Sequence, residues 1–147
     1  MPRTDLDHAA TLGVIAASEL VRVAFRDGDT SYVLPFGYTW MDGCMYGVTD
    51  PGRKTELAAA NPTVAFQIDT SLRSGLFEWN SVTGQGRFDI VEDPAERGRV
   101  LSSLQDFAAS APAWWRDEQV ARVASGGLLA WRLTPHSMTG ARYAPEP

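Results

Sequence analysis

The chain has 147 residues and a formal net charge of −5 at pH 7. This length is ample for one hydrophobic core, and we expect a single domain over residues 1–147. An acidic sequence without a basic stripe argues against nucleic acid as the main partner. Because no apolar run approaches a membrane span and no signal-peptide pattern begins the chain, we expect a cytoplasmic protein without a membrane partner.

The first part of the chain predicts a helix and a meander of strands. Residues 5–17 are rich in alanine and favour a helix. Turns at Asp27-Gly28-Asp29 and Asp42-Gly43 are typical of tight hairpins, because an Asp-Gly pair accepts the positive φ that such turns need. Pro35 indicates an edge strand or a bulge. The three strands of this meander are predicted at residues 20–25, 31–40 and 44–49.

The second part of the chain adds two helices and further strands. A short helix over 55–60 is followed by a strand over 63–69 with clear apolar alternation. Asp93 is the predicted cap of a longer helix, with Glu96 completing a capping box. That helix is interrupted at residues 111–115. Residues 76–91 are predicted to form one bent strand or two, and residues 127–134 form the last predicted strand. The tail after residue 134 is predicted to pack only weakly on the rest of the protein. Six or so strands with helices predict a small antiparallel barrel.

Classical catalytic residue sets are missing from this sequence. His8 and His136 lack metal-ligand spacing, and Cys44, the single cysteine, can form neither an internal disulfide nor a metal site with another cysteine. We therefore predict no metal site, and we assign no catalytic side chain. If the protein is an enzyme, a bound cofactor must supply the reactivity.

One pair of cations stands out at the start of the predicted short helix. Lys54 is the only lysine of the chain, and it follows Arg53 directly. A helix N-terminus presents unpaired N–H groups and a positive dipole end, so two added cations favour phosphate binding. The alternative interpretation is a solvated surface pair.

Four motifs occur in an order that is typical of one family. They are Pro35-Phe36-Gly37-Tyr38, Gly52-Arg53-Lys54, Asn61-Pro62 and Trp79-Asn80-Ser81-Val82. With these motifs the chain resembles, from about residue 12 to 140, the pyridoxamine 5'-phosphate oxidase-like, FMN-binding split-barrel proteins. The nitroimidazole-resistance-like small flavoproteins are the most similar subgroup. The resemblance implies a mainly β protein with a six-stranded antiparallel split β-barrel of the FMN-binding type.

The resemblance also implies a flavin site. In the family, the residues matching Arg53, Lys54 and Thr49 hold the FMN phosphate. The strand with Pro35, Phe36, Gly37 and Tyr38 lies along the isoalloxazine ring. The segment with Trp79, Ser81 and Val82 contacts flavin near the subunit boundary, since family members are homodimers. For Phe36, Tyr38 and Trp79, packing in the barrel core is the alternative. Tyr38 is also the one side chain that we consider as a donor near the ring.

The implied function is that of an FMN-dependent oxidoreductase. It would pass electrons from a reduced nicotinamide or similar donor to a small planar acceptor. The subgroup usually has a histidine where this chain has Gly47-Val48-Thr49, which argues against nitroimidazole reduction. True pyridoxamine phosphate oxidases have a C-terminal segment whose Arg and His bind the substrate phosphate. Residues 131–136 resemble the approach to that segment, but no matching segment follows them, which argues against vitamin B6 oxidation. Two alternatives stay open: a deazaflavin-dependent reductase, with Arg22, Arg26 and Arg73 near the cofactor tail, and a non-catalytic flavin or haem protein.

Overall fold

The computed structural model describes residues 2–145, apart from the side chain of Phe107. The strands are β1 (Arg3–Leu6), β2 (Leu20–Asp27), β3 (Thr30–Gly37), β4 (Thr39–Met41), β5 (Cys44–Thr49), β6 (Thr63–Asp69), β7 (Trp79–Ile90) and β8 (Leu129–Tyr143). The helices are α1 (His8–Ala17), α2 (Arg53–Ala60), α3 (Ser71–Ser74), α4 (Pro94–Phe107) and α5 (Ala113–Ala124).

The strands form one antiparallel sheet that curls into a half-barrel. Its order is β3-β2-β6-β7-β8-β5-β4, and β1 pairs with β8 off this path. Alternate residues of β2 are buried, namely Val21, Val23 and Phe25, which gives the sheet one apolar face. That face packs around an aromatic centre in which Phe88 stacks on Trp131, with ring centroids 5.2 Å apart. Burial of these large side chains supplies most of the driving force for closing the sheet on itself.

The predicted fold class is confirmed, but the sheet has eight strands among the described residues rather than six. The predicted strand at 31–40 divides into β3 and β4, and β1 is an additional short strand. The predicted end of the last strand at residue 134 is wrong, because β8 continues to Tyr143. Gly86 pairs with Pro135 and Gln85 pairs with Ser137, so the intervening residue forms a bulge. The bulge accommodates a proline that cannot donate to the ladder.

The helices differ from prediction at five points. Helix α2 begins at Arg53 and not at residue 55, and the short helix α3 was not expected. Helix α1 begins at His8, because the Asp7 carboxylate caps it by accepting from the Ala10 N–H at 2.7 Å. The predicted cap at Asp93 is present, with the Glu96 N–H donating to it at 2.9 Å. The second half of that capping box is wrong, since the Glu96 carboxylate accepts from Arg132 at 2.7 and 2.9 Å instead. Helix α5 was not expected, and it begins at Ala113, within the predicted interruption at 111–115.

No helix in the described part of the chain is long and apolar enough to cross a membrane.

Candidate functional site

A cavity of about 550 Å³ lies where the two ends of the sheet face each other. One wall is β3, from Leu34 to Gly37, with Tyr38 and Thr39 after it. The facing wall is β5, from Tyr46 to Thr49. Helices α4 and α5 form the outer wall, through Val100, Ser103, Leu104, Trp115, Gln119 and Arg122. The volume lies within the range of small-molecule and cofactor sites.

Both strands present open backbone edges to this cavity. Strand β3 ends the sheet path, and its hairpin closes with the Asp27–Thr30 pair. Alternation of hydrogen-bonded pairs from that closing pair turns the backbone groups of Pro35 and Gly37 away from β2. Strand β4 covers β5 only as far as Tyr46, so the same alternation leaves the N–H and C=O of Val48 facing the open side. The cavity is therefore lined by backbone donors and acceptors that have no ladder partner on that side.

Close contact between β3 and β5 depends on a glycine. A Cβ at Gly47 would lie 2.7 Å from the Gly37 carbonyl oxygen and 2.7 Å from Cζ2 of Trp131. Both distances are too short for any real side chain. Glycine at position 47 thus allows the strand to lie directly on the buried Trp131 indole.

The basic end of the cavity lies at the first turn of α2. Lys54 is half-buried and lines the cavity, and within residues 2–145 its ammonium group makes no ion pair. Thr49 also lines the cavity and is buried, and its hydroxyl donates a long hydrogen bond of 3.4 Å to the Asp50 carbonyl oxygen. A lysine without a carboxylate partner beside helical N–H groups can bind an anion without first breaking an ion pair.

Arg53 points in a different direction from Lys54. Its guanidinium forms an ion pair with Asp27 and lies over the Tyr32 ring, 5.5 Å from the ring centroid. It does not line the cavity. Through these contacts Arg53 connects the start of α2 to the β2–β3 hairpin.

The sequence analysis missed the residues that α5 contributes. Trp115, Gln119 and Arg122 all line the cavity, and Arg122 forms an ion pair with Asp50. Their spacing of four and three positions places them on one face of a helix. That spacing would have been an available signal, but it has meaning only once residues 113–124 are known to be helical.

Six of the ten predicted cofactor-binding residues line the cavity, and four lie elsewhere. The six are Pro35, Phe36, Gly37, Tyr38, Thr49 and Lys54. Besides Arg53, the others are the three residues of β7. Trp79 stacks on Tyr143 with centroids 5.0 Å apart, Ser81 accepts a long hydrogen bond of 3.4 Å from the Gln67 amide, and Val82 is fully buried in the core.

The arginines considered for a deazaflavin tail lie away from the cavity. Arg22 donates to Gln67 and to Asp69, both at 3.0 Å. Arg73 donates to the Ala17 carbonyl, and Arg26 is exposed on β2. None of the three lines the cavity.

Tyr38 lines the cavity, but its hydroxyl is engaged inside the fold. The hydroxyl donates to the Ile15 carbonyl at 2.6 Å, and the residue is almost fully buried. Burial raises the pKa of the Tyr38 phenol well above its usual value of about 10. The phenol therefore keeps its proton, and that proton is directed at α1.

Replacing Tyr38 by phenylalanine should consequently have little effect on a ligand in the cavity. We expect a loss of about 1 kcal/mol in the free energy of unfolding, because the Ile15 carbonyl loses its donor. Ligand affinity should change less than two-fold. Urea unfolding measures the first quantity, and titration with FMN, the flavin that the family resemblance implies, measures the second. A ten-fold loss of flavin affinity without greater destabilisation would place the hydroxyl in the site instead.

Comparison with known proteins identifies the family of the chain. The family model described as "Pyridoxamine 5'-phosphate oxidase" matches residues 7–142. An uncharacterized protein of Rhizobium meliloti (strain 1021) is 30% identical over 131 residues, which cover 88% of this chain and 77% of that protein. The chain therefore belongs to the pyridoxamine 5'-phosphate oxidase family, and the resemblance inferred from its motifs is confirmed.

Solved structures show the same fold. An FAD-binding protein of Mesorhizobium loti superposes with a TM-score of 0.78 at 23% identity, over 98% of this chain and 100% of that chain. A proposed 5-nitroimidazole antibiotic resistance protein of Bacteroides thetaiotaomicron superposes with a TM-score of 0.72 at 17% identity, over 96% of this chain and 87% of that chain. The split-barrel architecture expected from the sequence is thus the architecture of this protein.

Proposed function

We propose that this protein is an FMN-binding oxidoreductase that holds its flavin in the cavity between β3 and β5. One observation carries the proposal. Lys54, which makes no ion pair with any described residue, lines a cavity that two open strand edges also line. This arrangement suits a ligand with an anionic group at one end and a planar polar ring at the other. The family of the chain and its structural similarity to an FAD-binding protein support a flavin as that ligand.

The proposed phosphate contacts come from the residues before and within the first turn of α2. Lys54 supplies the charge, Thr49 a hydroxyl, and the helix N-terminus its free N–H groups. The family resemblance also implies a phosphate contact for Arg53. That role requires its guanidinium to leave Asp27, so replacing Arg53 and Lys54 one at a time distinguishes their contributions.

The proposed ring contacts come from the strand edges. Pro35 to Tyr38 would lie along the isoalloxazine, whose polar edge needs both donors and acceptors. Gly37 and Val48 offer these from the backbone, while Phe36 supplies an apolar surface. Backbone groups held by a sheet are pre-oriented, so little ordering entropy is lost when the ring binds.

The proposed assembly is a homodimer. Trp79 and Ser81 lie outside the cavity of their own chain, with Val82 buried behind them, so they would contact flavin held by a second copy. The segment before β7 exposes Leu72, Leu76 and Phe77, with Leu72 and Phe77 each 83% accessible. An apolar patch of this kind is typical of an association surface.

The bound FMN would supply the electron-transfer chemistry, from a reduced nicotinamide or similar donor to a small planar acceptor. The chain's own residues bind the cofactor, orient it and shield one side. Trp115 and Leu104, from the two outer helices, provide an apolar wall that keeps water from part of the cavity.

A second candidate is a non-catalytic flavin-binding protein. Among the described residues that line the cavity, the only charged side chains are Lys54 and the paired Asp50 and Arg122. This shortage of groups for proton transfer favours a non-catalytic role. The deazaflavin alternative has less support, because its three candidate arginines lie elsewhere. Neither histidine lines the cavity, so a haem iron would find no imidazole there.

The visible spectrum of the purified protein tests the proposal. We expect the purified protein to show flavin absorption, or the flavin-free protein to bind FMN when FMN is added. Oxidation of NADH or NADPH by the FMN-loaded protein would then separate an oxidoreductase from a carrier. A protein that takes up haem or deazaflavin but not FMN would contradict the cofactor, and a protein that binds FMN without turnover would support the carrier.

A further inference from the structure

The second positive charge at the cavity comes from helix α5, which lies far from Lys54 in the sequence. Arg122, in the last turn of α5, lines the same cavity as Lys54. Its guanidinium is held by Asp50, a residue of the loop that leads into α2. Resting on the proposed function, we infer that Arg122 is a phosphate-binding residue of this site, which exchanges the Asp50 carboxylate for the terminal phosphate of the bound flavin.

The ion pair is one that can be exchanged. The side chains of Arg122 and Asp50 are 41% and 57% accessible to solvent. Pairs with this much exposure contribute little stability, because water competes for both charges. A phosphate carries up to two negative charges and three acceptor oxygens, and a guanidinium can bind it through two N–H groups at once. Phosphate is therefore the stronger partner for Arg122.

The position of Asp50 means that the exchange of partners affects phosphate binding. Asp50 lies between Thr49 and the start of α2, where the phosphate is proposed to bind, and it lines the cavity itself. A carboxylate at that place repels an incoming anion. In the ligand-free protein Arg122 neutralises this carboxylate and joins α5 to the loop. Binding of a phosphate ester therefore includes the loss of one ion pair, whereas an uncharged ligand leaves the Asp50–Arg122 pair intact.

Arg53 cannot be the second cation without a larger rearrangement. Its guanidinium is already bound to Asp27 and lies over the Tyr32 ring, and neither of these partners lines the cavity. Arg122 needs only to change partner, because it faces the cavity already.

Riboflavin is the probe that isolates this effect, since it has the ring of FMN but no phosphate. For Arg122→Gln we expect the dissociation constant of FMN to rise about 10-fold, with riboflavin affinity unchanged. For Asp50→Asn we expect FMN to bind several-fold more tightly, because the competing carboxylate is gone. In the Arg122→Gln background the same replacement removes the repulsion by Asp50 but no ion pair, so the gain in FMN affinity should be smaller there. Arg116→Gln is the matched control, because Arg116 lies on the same helix but does not line the cavity.

Fluorescence titration with both flavins distinguishes the outcomes. Equal losses for FMN and riboflavin in Arg122→Gln would mean that Arg122 only holds α5 in place, and would overturn the inference. Unchanged FMN affinity in that variant would overturn it as well. If the unaltered protein binds neither flavin, the proposed function falls and this inference falls with it. Thermal unfolding of each variant shows whether any loss comes from a damaged fold.

Discussion

Replacing Lys54 by glutamine is expected to raise the dissociation constant of FMN about 100-fold, equivalent to about 3 kcal/mol. Lys54 is the one cation of the cavity that has no ion pair among the described side chains, so its charge is fully available to a phosphate. Its half-buried position reduces competition from water, which strengthens a charge-assisted hydrogen bond. The effect should exceed that of Arg122, because no carboxylate of residues 2–145 pairs with Lys54 and must be released first. Fluorescence titration with FMN measures the loss.

The controls for Lys54 separate charge, position and phosphate. Riboflavin affinity should be unchanged in Lys54→Gln, because riboflavin has no phosphate. Arg53→Gln keeps Lys54 and tests the neighbouring guanidinium: if Arg53 only anchors α2 to Asp27, FMN affinity should fall less than five-fold. A loss in Arg53→Gln as large as in Lys54→Gln would show that Arg53 leaves Asp27 for the ligand. Undiminished FMN affinity when both are replaced would refute the phosphate site.

Replacing Trp131 by alanine is expected to lower the free energy of unfolding by about 3–5 kcal/mol. Trp131 is completely buried at the centre of the half-barrel. It stacks on Phe88 and meets the Phe36 ring edge-on at 5.4 Å. Gly47 lies directly against its indole. Since Phe36 and Gly47 both line the cavity, the void left by the indole should also weaken flavin binding. Urea unfolding and FMN titration measure the two effects.

Two other tryptophan variants serve as controls. Trp114 is 67% accessible, so Trp114→Ala should change the free energy of unfolding by no more than about 0.5 kcal/mol. Trp131→Phe should cost much less than Trp131→Ala. It keeps an aromatic ring and removes a buried Nε1–H group that has no hydrogen-bond partner in the described structure. If Trp131→Ala cost no more than Trp114→Ala, the aromatic centre would not be what closes the sheet.

Local patterns account for the elements that were predicted correctly. The Asp-Gly turns, the alternation in β6 and the Asp93 cap involve residues within a few positions of each other, and the structure has them where expected. Long-range pairing accounts for the errors. The extension of β8 past Pro135 depends on its partners in β7 and β1, which compensate for the missing proline N–H at a bulge. Neither partner can be recognised from the sequence around residue 135.

For the candidate site, too, some features follow from the sequence and others only from the tertiary structure. Composition and motif order by themselves were enough to indicate an acidic, mainly β protein of one family, with a cationic helix start and a strand suited to a flat ring. Only the tertiary structure decided which cation faces the cavity. Consecutive helical residues point about 100° apart, so Arg53 and Lys54 cannot both do so from one backbone position. Nor could sequence reveal that Arg122 meets Asp50, since 72 positions separate them and α5 reaches the loop only through folding.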